Sequence, residues 1–492
     1  MGHFSILDGS IVGLYLLGVM IVGVIVKRYV GRVEDFLVAG REMNVFLGIA
    51  SLAASEFGIV TCMYAAQNGY DKGFSGATPG ILYAASMILV GYTGFCIKPL
   101  RNAGVMTIPS LFEERFGQKI RWLSGVVIVL GGLLNMGVFL RVGGDFLVNI
   151  SGLNPKYLEI TMTALLCCVV LYTVLGGMLS VLVTDFMQFI VMSIGLLAVT
   201  ILIMTKVGWG TLTATVQSHY GAGGFNPFIH PDMGWDWVLF NALVAMACVL
   251  TWQTMVQHAL SAKDAKTGQS VYKGTGFFFV CRFLLPGIWG IAALATLSPE
   301  TVGPNTLLAM PRFLSTFLPM GLMGILVAAM LAADMSTDSI YMLTWGNVIY
   351  NDILGPLHKG KWSDKRGIMI SRFIIALIGL FLLFYGLWYP LKGDLWTYLI
   401  ITGTIYLASM SVLLIACCYW KKANNWGAAA SIISGAVMPV SYLILEQWSV
   451  TEHFARQTVG PNLWGVLTFA VTGAVMVVFS LLKNTMYKKV ES

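Results

Sequence analysis

The sequence predicts an all-α polytopic membrane protein, and three observations carry this prediction. Hydrophobic residues make up 57% of the 492 residues and charged residues only 11%, whereas a soluble domain is usually about 25% charged. The apolar runs are about 20 residues long, the length that a helix needs to cross a bilayer. They are also uninterrupted, and in lipid such runs satisfy their backbone hydrogen bonds by forming helices.

Thirteen apolar runs mark the expected transmembrane helices in order along the chain. They cover residues 6–26, 45–68, 78–97, 121–147, 157–178, 180–205, 234–258, 274–297, 316–345, 366–389, 394–418, 426–447 and 462–482. The longest outer loop, 206–233, contains G-A-G-G-F-N-P and is predicted to be an irregular hairpin or lid. We expect one transmembrane domain over residues 1–492 and no soluble domain.

Lysine and arginine are distributed unevenly between the two sides of the predicted bundle. Of the 30 basic residues, 21 fall in loops on one side, six on the other, and three (Arg141, Arg282 and Arg372) within spans. Because cytoplasmic loops carry an excess of positive charge, the amino terminus is predicted outside and the carboxyl terminus inside. The net charge of +7 follows from these loops and does not indicate a nucleic acid partner.

Polar residues gather within two spans that lie five spans apart. The second span contains S-L-A-A-S-E-F-G-I-V-T at 51–61, and the seventh contains T-W-Q-T-M-V-Q-H at 251–258. Two five-helix repeats of opposite orientation, each beginning with a broken helix, have this spacing. The expected order is a leading helix, a first inverted repeat, a second inverted repeat and two trailing helices, at residues 6–26, 45–205, 234–418 and 426–482.

The ninth span carries the segment L-A-A-D-M-S-T-D-S-I at 331–340, with two carboxylates near mid-membrane. A carboxylate at the bilayer centre costs about 2.5–3.5 kcal/mol on insertion scales. A chain that keeps both Asp334 and Asp338, with hydroxyls between them, is predicted to handle an ion or a polar solute. In the alternative, Arg282 or Arg372 pairs with them and they are buried ion pairs.

Four motifs, in order and on the expected spans, resemble those of the sodium/solute symporter family. They are A-S-E-F-G at 54–58, G-G-M-L-S-V-L-V-T-D-F-M-Q at 176–188, V-Q-H-A-L-S-A-K-D at 256–264 and A-A-D-M-S-T-D-S at 332–339. This family includes proline, pantothenate, glucose, sialic acid and iodide transporters. The helix count and orientation resemble its thirteen-span, proline-transporter-like branch, which implies a LeuT-like fold with broken first helices.

The resemblance implies a sodium site at five matching positions: Ala54, Phe57, Ala333, Ser336 and Thr337. The chemistry of these positions is consistent, because hard cations prefer oxygen ligands and the three ninth-span positions share a helix face. The two carbonyls of the second span become available only if the helix is unwound there, and we expect Gly58 to ease that break. In the alternative, the hydroxyls only bond to carbonyls of their own helix.

The resemblance also implies a second sodium site, formed by Asp185 with hydroxyls of the ninth span. Ser339 matches one of those hydroxyls, whereas Ile340 stands where the pattern has another. The alternative places Asp185 near the cytoplasmic interface, where it is hydrated and ionised and lines the inner exit path.

The candidate solute residues gather at the two predicted helix breaks. They are Glu56, Gly58, Thr61, Trp252, Gln253 and Asp338. Glu56 is the expected anchor, because an ionised acid at a helix break needs a counter-charge from sodium or from the solute. It can instead be protonated and donate to a neutral solute, or be a structural acid paired with Arg282 or Arg372.

The predicted function is sodium-coupled symport, which imports a small polar organic solute by alternating access. The acid-rich core favours an amino acid or another amino or ammonium solute; a sugar or polyol, or a channel or sensor on the same fold, is the alternative. An enzyme is not expected, since all six histidines (3, 219, 230, 258, 358 and 453) are predicted at loops or helix ends. The expected partners are sodium, the solute and membrane lipid, without a required oligomer or nucleic acid, and the expected location is a bacterial inner membrane.

Overall fold

A computed structural model describes residues 4–26, 32–38, 41–358, 362–388 and 394–491. Within these ranges the secondary structure is helical, apart from one isolated parallel bridge between Met43 and Ala262. The α-helices are α1 Ile6–Val26, α2 Val33–Val38, α3 Val45–Ser55, α4 Ile59–Lys72, α5 Thr78–Thr93, α6 Ile97–Asn102, α7 Ile108–Phe116, α8 Gln118–Met136, α9 Phe139–Ser151, α10 Leu158–Lys206, α11 Trp209–Tyr220, α12 Trp235–Thr251, α13 Gln253–Ser261, α14 Ala265–Thr296, α15 Pro299–Val302, α16 Ala309–Phe317, α17 Leu322–Val348, α18 Asp364–Trp388, α19 Leu395–Tyr419, α20 Asn425–Gln447, α21 Ser449–His453 and α22 Gly460–Glu491.

Every predicted span overlaps one or two of these helices, but the count of thirteen is not confirmed. In the described part of the chain, ten segments are long and apolar enough to cross a membrane, and three shorter apolar helices accompany them. The loop predicted as irregular over 206–233 contains the helix α11. Five of the basic residues in the predicted loops, at 27, 28, 359, 361 and 392, lie outside the described residues.

Both expected helix breaks are present. Helix α3 ends at Ser55 and α4 begins at Ile59, so Glu56, Phe57 and Gly58 form a non-helical link. Helices α12 and α13 are separated by Trp252 alone, whose extended ψ of 112° stops the helical path. Carbonyl groups near such links are released from the regular helical hydrogen-bond ladder.

The long helix α10 contains a sharp kink that divides it into two of the predicted spans. Gly177, the second glycine of the G-G pair in the 176–188 motif, has φ 59° and ψ −158° inside this 49-residue element. A positive φ favours glycine. A Cβ at this position would also lie 2.5 Å from the ring of Phe36, so space and backbone geometry both select glycine.

Helix α17 is the central helix of the bundle. In its apolar window 94% of the residues are buried, against 39% for α18 and 33% for α20, which therefore lie at the lipid-facing periphery. It packs against α10 and also contacts α3. The polar segment 331–340 is thus shielded from lipid and brought beside the first helix break.

The end of the 256–264 motif starts the next helix. Asp264 precedes α14, and its carboxylate accepts a hydrogen bond from the backbone N–H of Thr267 at 2.7 Å. This satisfies a free donor of the first helical turn. The same bond lowers the pKa of Asp264 below its ordinary value.

Candidate functional site

The two broken helices meet through a direct side-chain contact. The hydroxyl of Thr254, in the first turn of α13, donates to a carboxylate oxygen of Glu56 at 2.6 Å. Both residues are buried. Thr254 and Glu56 are 198 positions apart in the sequence, and their contact holds the two breaks side by side in the middle of the bundle.

The first break lies against α17, where the ninth-span hydroxyls were predicted to meet it. A Cβ on Gly58 would lie 2.9 Å from Oγ1 of Thr337. That hydroxyl is buried and has no hydrogen-bond partner within the described residues. Because a buried unpartnered hydroxyl is costly, an oxygen that faces the break without a partner fits the chemistry of a cation site.

Two backbone carbonyls at the first break accept hydrogen bonds from backbone N–H groups. The Ala54 carbonyl accepts from the backbone N–H of Phe57 at 3.1 Å, and the helical ladder resumes when the Cys62 N–H donates to the Gly58 carbonyl. Ala333 and Ser336 lie in the regular helix α17. Of the predicted sodium positions on α17, Thr337 lies directly against the first break, where Ala54 and Phe57 also lie.

Asp185 joins this group through two short hydrogen bonds. Its Oδ1 accepts from the Ser336 hydroxyl at 2.7 Å, and its Oδ2 accepts from the Ser51 hydroxyl at 2.5 Å. Asp185 has no exposed surface, so the alternative of a hydrated acid lining the exit path is wrong. Ser339, the predicted partner, instead donates to the Ser336 carbonyl at 3.0 Å.

A cavity of about 610 Å³ of empty space lies next to the first break. Of the predicted solute residues, Glu56, Thr61 and Trp252 line it. Gly58, Gln253 and Asp338 lie outside its lining.

Residues that the sequence did not single out for the solute make up most of the cavity wall. Its aromatic and polar members include Tyr64, Tyr83, Asn135, Tyr341, Trp396 and Arg282. They come from six different helices, so no local pattern marks them as a group. Trp252 is fixed in this wall by its ring N–H, which donates to the Tyr341 hydroxyl at 3.0 Å.

Glu56 and Arg282 form the charged pair of the cavity. Nη1 of Arg282 lies 3.5 Å from Oε2 of Glu56, and both side chains are less than 10% exposed. Arg282 also donates to the Tyr64 hydroxyl at 2.7 Å, and its guanidinium lies over the ring of Phe279. Glu56 is therefore the acid whose charge Arg282 balances.

Asp334 and Asp338 are not part of that pair. Each has one buried carboxylate oxygen without a hydrogen-bond partner in the described chain. Oδ2 of Asp334 lies 3.4 Å from where a Cβ on Gly143 would stand, so it faces α9. The hypothesis that Arg282 pairs with either of these acids is wrong, because Arg282 is held by Glu56.

His258 is a site residue that sequence reasoning missed. It was predicted at a helix end, but it is completely buried in α13. Its Nε2 lies 2.9 Å from Oγ of Ser51, and its Nδ1 lies 2.9 Å from the carbonyl of Thr254. The available signal was its place in the polar run 251–258, together with the polar run 51–61 on the other broken helix.

Comparisons with known proteins agree with this architecture. A model of the sodium:solute symporter family matches residues 36–435. Sodium/glucose cotransporter 4 of Danio rerio is 25% identical, over 93% of this chain and 74% of its own length. Sodium/myo-inositol cotransporter 2 of Oryctolagus cuniculus is 26% identical, over 89% of this chain and 70% of its own length.

A solved structure extends the agreement to the fold. The substrate-bound, outward-open state of a Na⁺-coupled sialic acid symporter matches with a TM-score of 0.80 at 18% identity, covering 97% of this chain and 98% of that chain. The all-helical, LeuT-like fold class is thereby confirmed. Because the family model spans most of the chain, this protein belongs to the sodium:solute symporter family, and sodium is its coupling ion.

Proposed function

We propose that this symporter imports a small uncharged polyhydroxylated solute, a sugar or a polyol, with sodium. The supporting observation is the Glu56–Arg282 pair. Glu56 and Arg282 are the charged residues among the described residues that line the cavity, and they pair with each other. A solute without net charge leaves this pair intact, whereas an ammonium group competes with Arg282 for Glu56.

The rest of the wall suits hydroxyl groups, which both donate and accept hydrogen bonds. Tyr64, Tyr83 and Tyr341 bring phenolic hydroxyls to the cavity. Asn135 uses its amide N–H groups on the Leu399 carbonyl and the Thr402 hydroxyl, which leaves its carbonyl oxygen as an acceptor. The names of the glucose and myo-inositol relatives support the same solute class.

The test is accumulation of labelled solute in proteoliposomes under an inward sodium gradient. We expect D-glucose or myo-inositol to accumulate in sodium and not in potassium. L-proline and choline represent the amino and ammonium solutes that the sequence favoured. Sodium-driven accumulation of either of these, without accumulation of the sugar or the polyol, would overturn the proposed solute class.

Paired variants separate the two classes at the level of the site. Glu56→Gln or Arg282→Gln alone leaves one buried charge without its partner, which is strongly unfavourable. Each should weaken binding of the transported sugar or polyol about tenfold or more, equivalent to about 1.4 kcal/mol. The double variant removes both charges, so it should recover much of the affinity for an uncharged solute. Further loss in the double variant, with sodium stabilisation retained, contradicts the proposal.

A further inference from the structure

A continuous chain of buried hydrogen bonds joins the candidate ion site to the solute cavity. From Asp185 it passes to the Ser51 hydroxyl at 2.5 Å and from there to Nε2 of His258 at 2.9 Å. It continues from Nδ1 of His258 to the Thr254 carbonyl at 2.9 Å, and from the Thr254 hydroxyl to Glu56 at 2.6 Å. These five residues are all buried.

Beside the direct Thr254–Glu56 contact, His258 forms a second link between the two broken helices. A carbonyl oxygen only accepts hydrogen bonds, so the contact with Thr254 requires a proton on Nδ1 of His258. The Ser51 hydroxyl has one proton, which it donates to Asp185, so its contact with Nε2 requires a proton on that ring nitrogen as well. One imidazole therefore fixes α13, which carries Thr254, to α3, which carries Ser51.

We propose that His258 is a positioning residue that couples sodium occupancy to the geometry of the solute cavity. A sodium ion held by Ser336 and its neighbours changes the positive charge near the Asp185 carboxylate. That carboxylate also accepts the hydrogen bond from Ser51. The imidazole passes a shift of Ser51 to Thr254, whose hydroxyl orients Glu56. This inference rests on the proposed ion site and solute cavity, and it does not depend on which solute is carried.

Cys248 supplies a probe inside the cavity that needs no solute. Its thiol lines the cavity, and it lies 3.1 Å from the hydroxyl of Tyr83. The full-length protein is treated with N-ethylmaleimide in sodium or in potassium. Mass spectrometry of the peptide that contains Cys248 then gives its labelling rate separately from the other cysteines. Coupling between two sites usually changes an affinity by about five- to 150-fold, so we expect about a fivefold difference in this rate between the two cations.

His258→Ala should remove this difference while the protein remains more thermally stable in sodium than in potassium. His258→Gln, whose amide still offers N–H donors, should restore a substantial part of it. Ser51→Ala should behave like His258→Ala. Ser55→Ala is the matched control, because Ser55 is equally buried on α3 but contacts only the Leu52 carbonyl, at 3.4 Å.

The outcomes separate this inference from the proposed function. A sodium effect on Cys248 that survives in His258→Ala, or that is absent from the wild-type protein, overturns the inference. Loss of sodium stabilisation in His258→Ala also overturns it, because the histidine then belongs to the ion site itself. Failure to accumulate glucose or inositol, with the expected labelling pattern, rejects only the proposed solute class.

Discussion

Single residues in this site are selected by what they touch more than by their intrinsic preferences. Gly58 illustrates this: its φ of −96° and ψ of 177° are open to any residue. What excludes a side chain is the hydroxyl of Thr337, only 2.9 Å from where a Cβ would be. The glycine therefore serves close approach between the break and α17, rather than the backbone freedom that its sequence context indicated.

The sodium site yields a prediction at this scale. Ser336→Ala combined with Thr337→Ala removes two hydroxyls beside the break, so the affinity for sodium should fall about tenfold or more, equivalent to about 1.4 kcal/mol. The measurement is thermal unfolding of the purified protein against sodium concentration, with potassium as reference. Ser339→Ala is the control, because that hydroxyl donates to a carbonyl of its own helix. Equal stabilisation of the double variant and the wild type by sodium would rule out the site.

At the scale of elements, α14 carries Arg282 and is set against α4 by glycines. A Cβ on Gly290 would overlap the Ala66 carbonyl oxygen and would lie 2.9 Å from the Tyr70 nitrogen. A Cβ on Gly287, one turn earlier, would meet only the Ala65 carbonyl, at an ordinary 3.7 Å. Small residues allow such backbone approach between transmembrane helices, and here they bring Arg282 within reach of Tyr64 and Glu56.

These two glycines give a matched prediction. Gly290→Ala should destabilise the protein by about 1–3 kcal/mol, the usual cost of overpacking a well-packed interior. Gly287→Ala fits the available space and should be neutral or slightly stabilising, because alanine is the better helix former by about 1 kcal/mol. Thermal unfolding of both variants in detergent is the measurement. Equal stability of the two would contradict backbone-to-backbone packing at Gly290.

At the scale of the whole molecule, the bundle surrounds α17 with helices that become progressively more exposed to lipid. The apolar windows of α18 and α20 are 39% and 33% buried, and that of the last segment, Ser449–Met486, is 28% buried. This gradient keeps the polar centre away from hydrocarbon, where unpartnered polar groups are costly. The boundaries of the two inverted repeats and the location in a bacterial inner membrane stay predictions.

Orientation across the membrane is a prediction for the whole chain. A cysteine introduced at Ala222, in the exposed turn after α11, should react with a membrane-impermeant maleimide on intact cells. A cysteine at Lys421, in the exposed turn between α19 and α20, should react only after the cells are permeabilised. The wild-type protein, with its eight cysteines, gives the background labelling. The opposite pattern would contradict the positive-inside assignment.

The sequence alone determined the membrane class, the positions of the helices, the two breaks and the hydroxyl-bearing face of the ninth span. These features are local: hydropathy, motif spacing and helical periodicity act over about 20 residues. A broken helix at 56–58 could be placed because polar residues gather within an apolar run there.

Tertiary structure alone decided which polar groups pair. Arg282 reaches Glu56 across 226 positions of sequence, and Ser51 reaches Asp185 across 134. The sequence favoured a solute with an amino group because the core is rich in acids, whereas the counter-charge of Glu56 comes from Arg282 on α14. Buried charges and hydroxyls are satisfied by whichever partners packing brings within hydrogen-bond distance. Helix packing, rather than local pattern, therefore set the charge of the cavity and buried His258 between the two breaks.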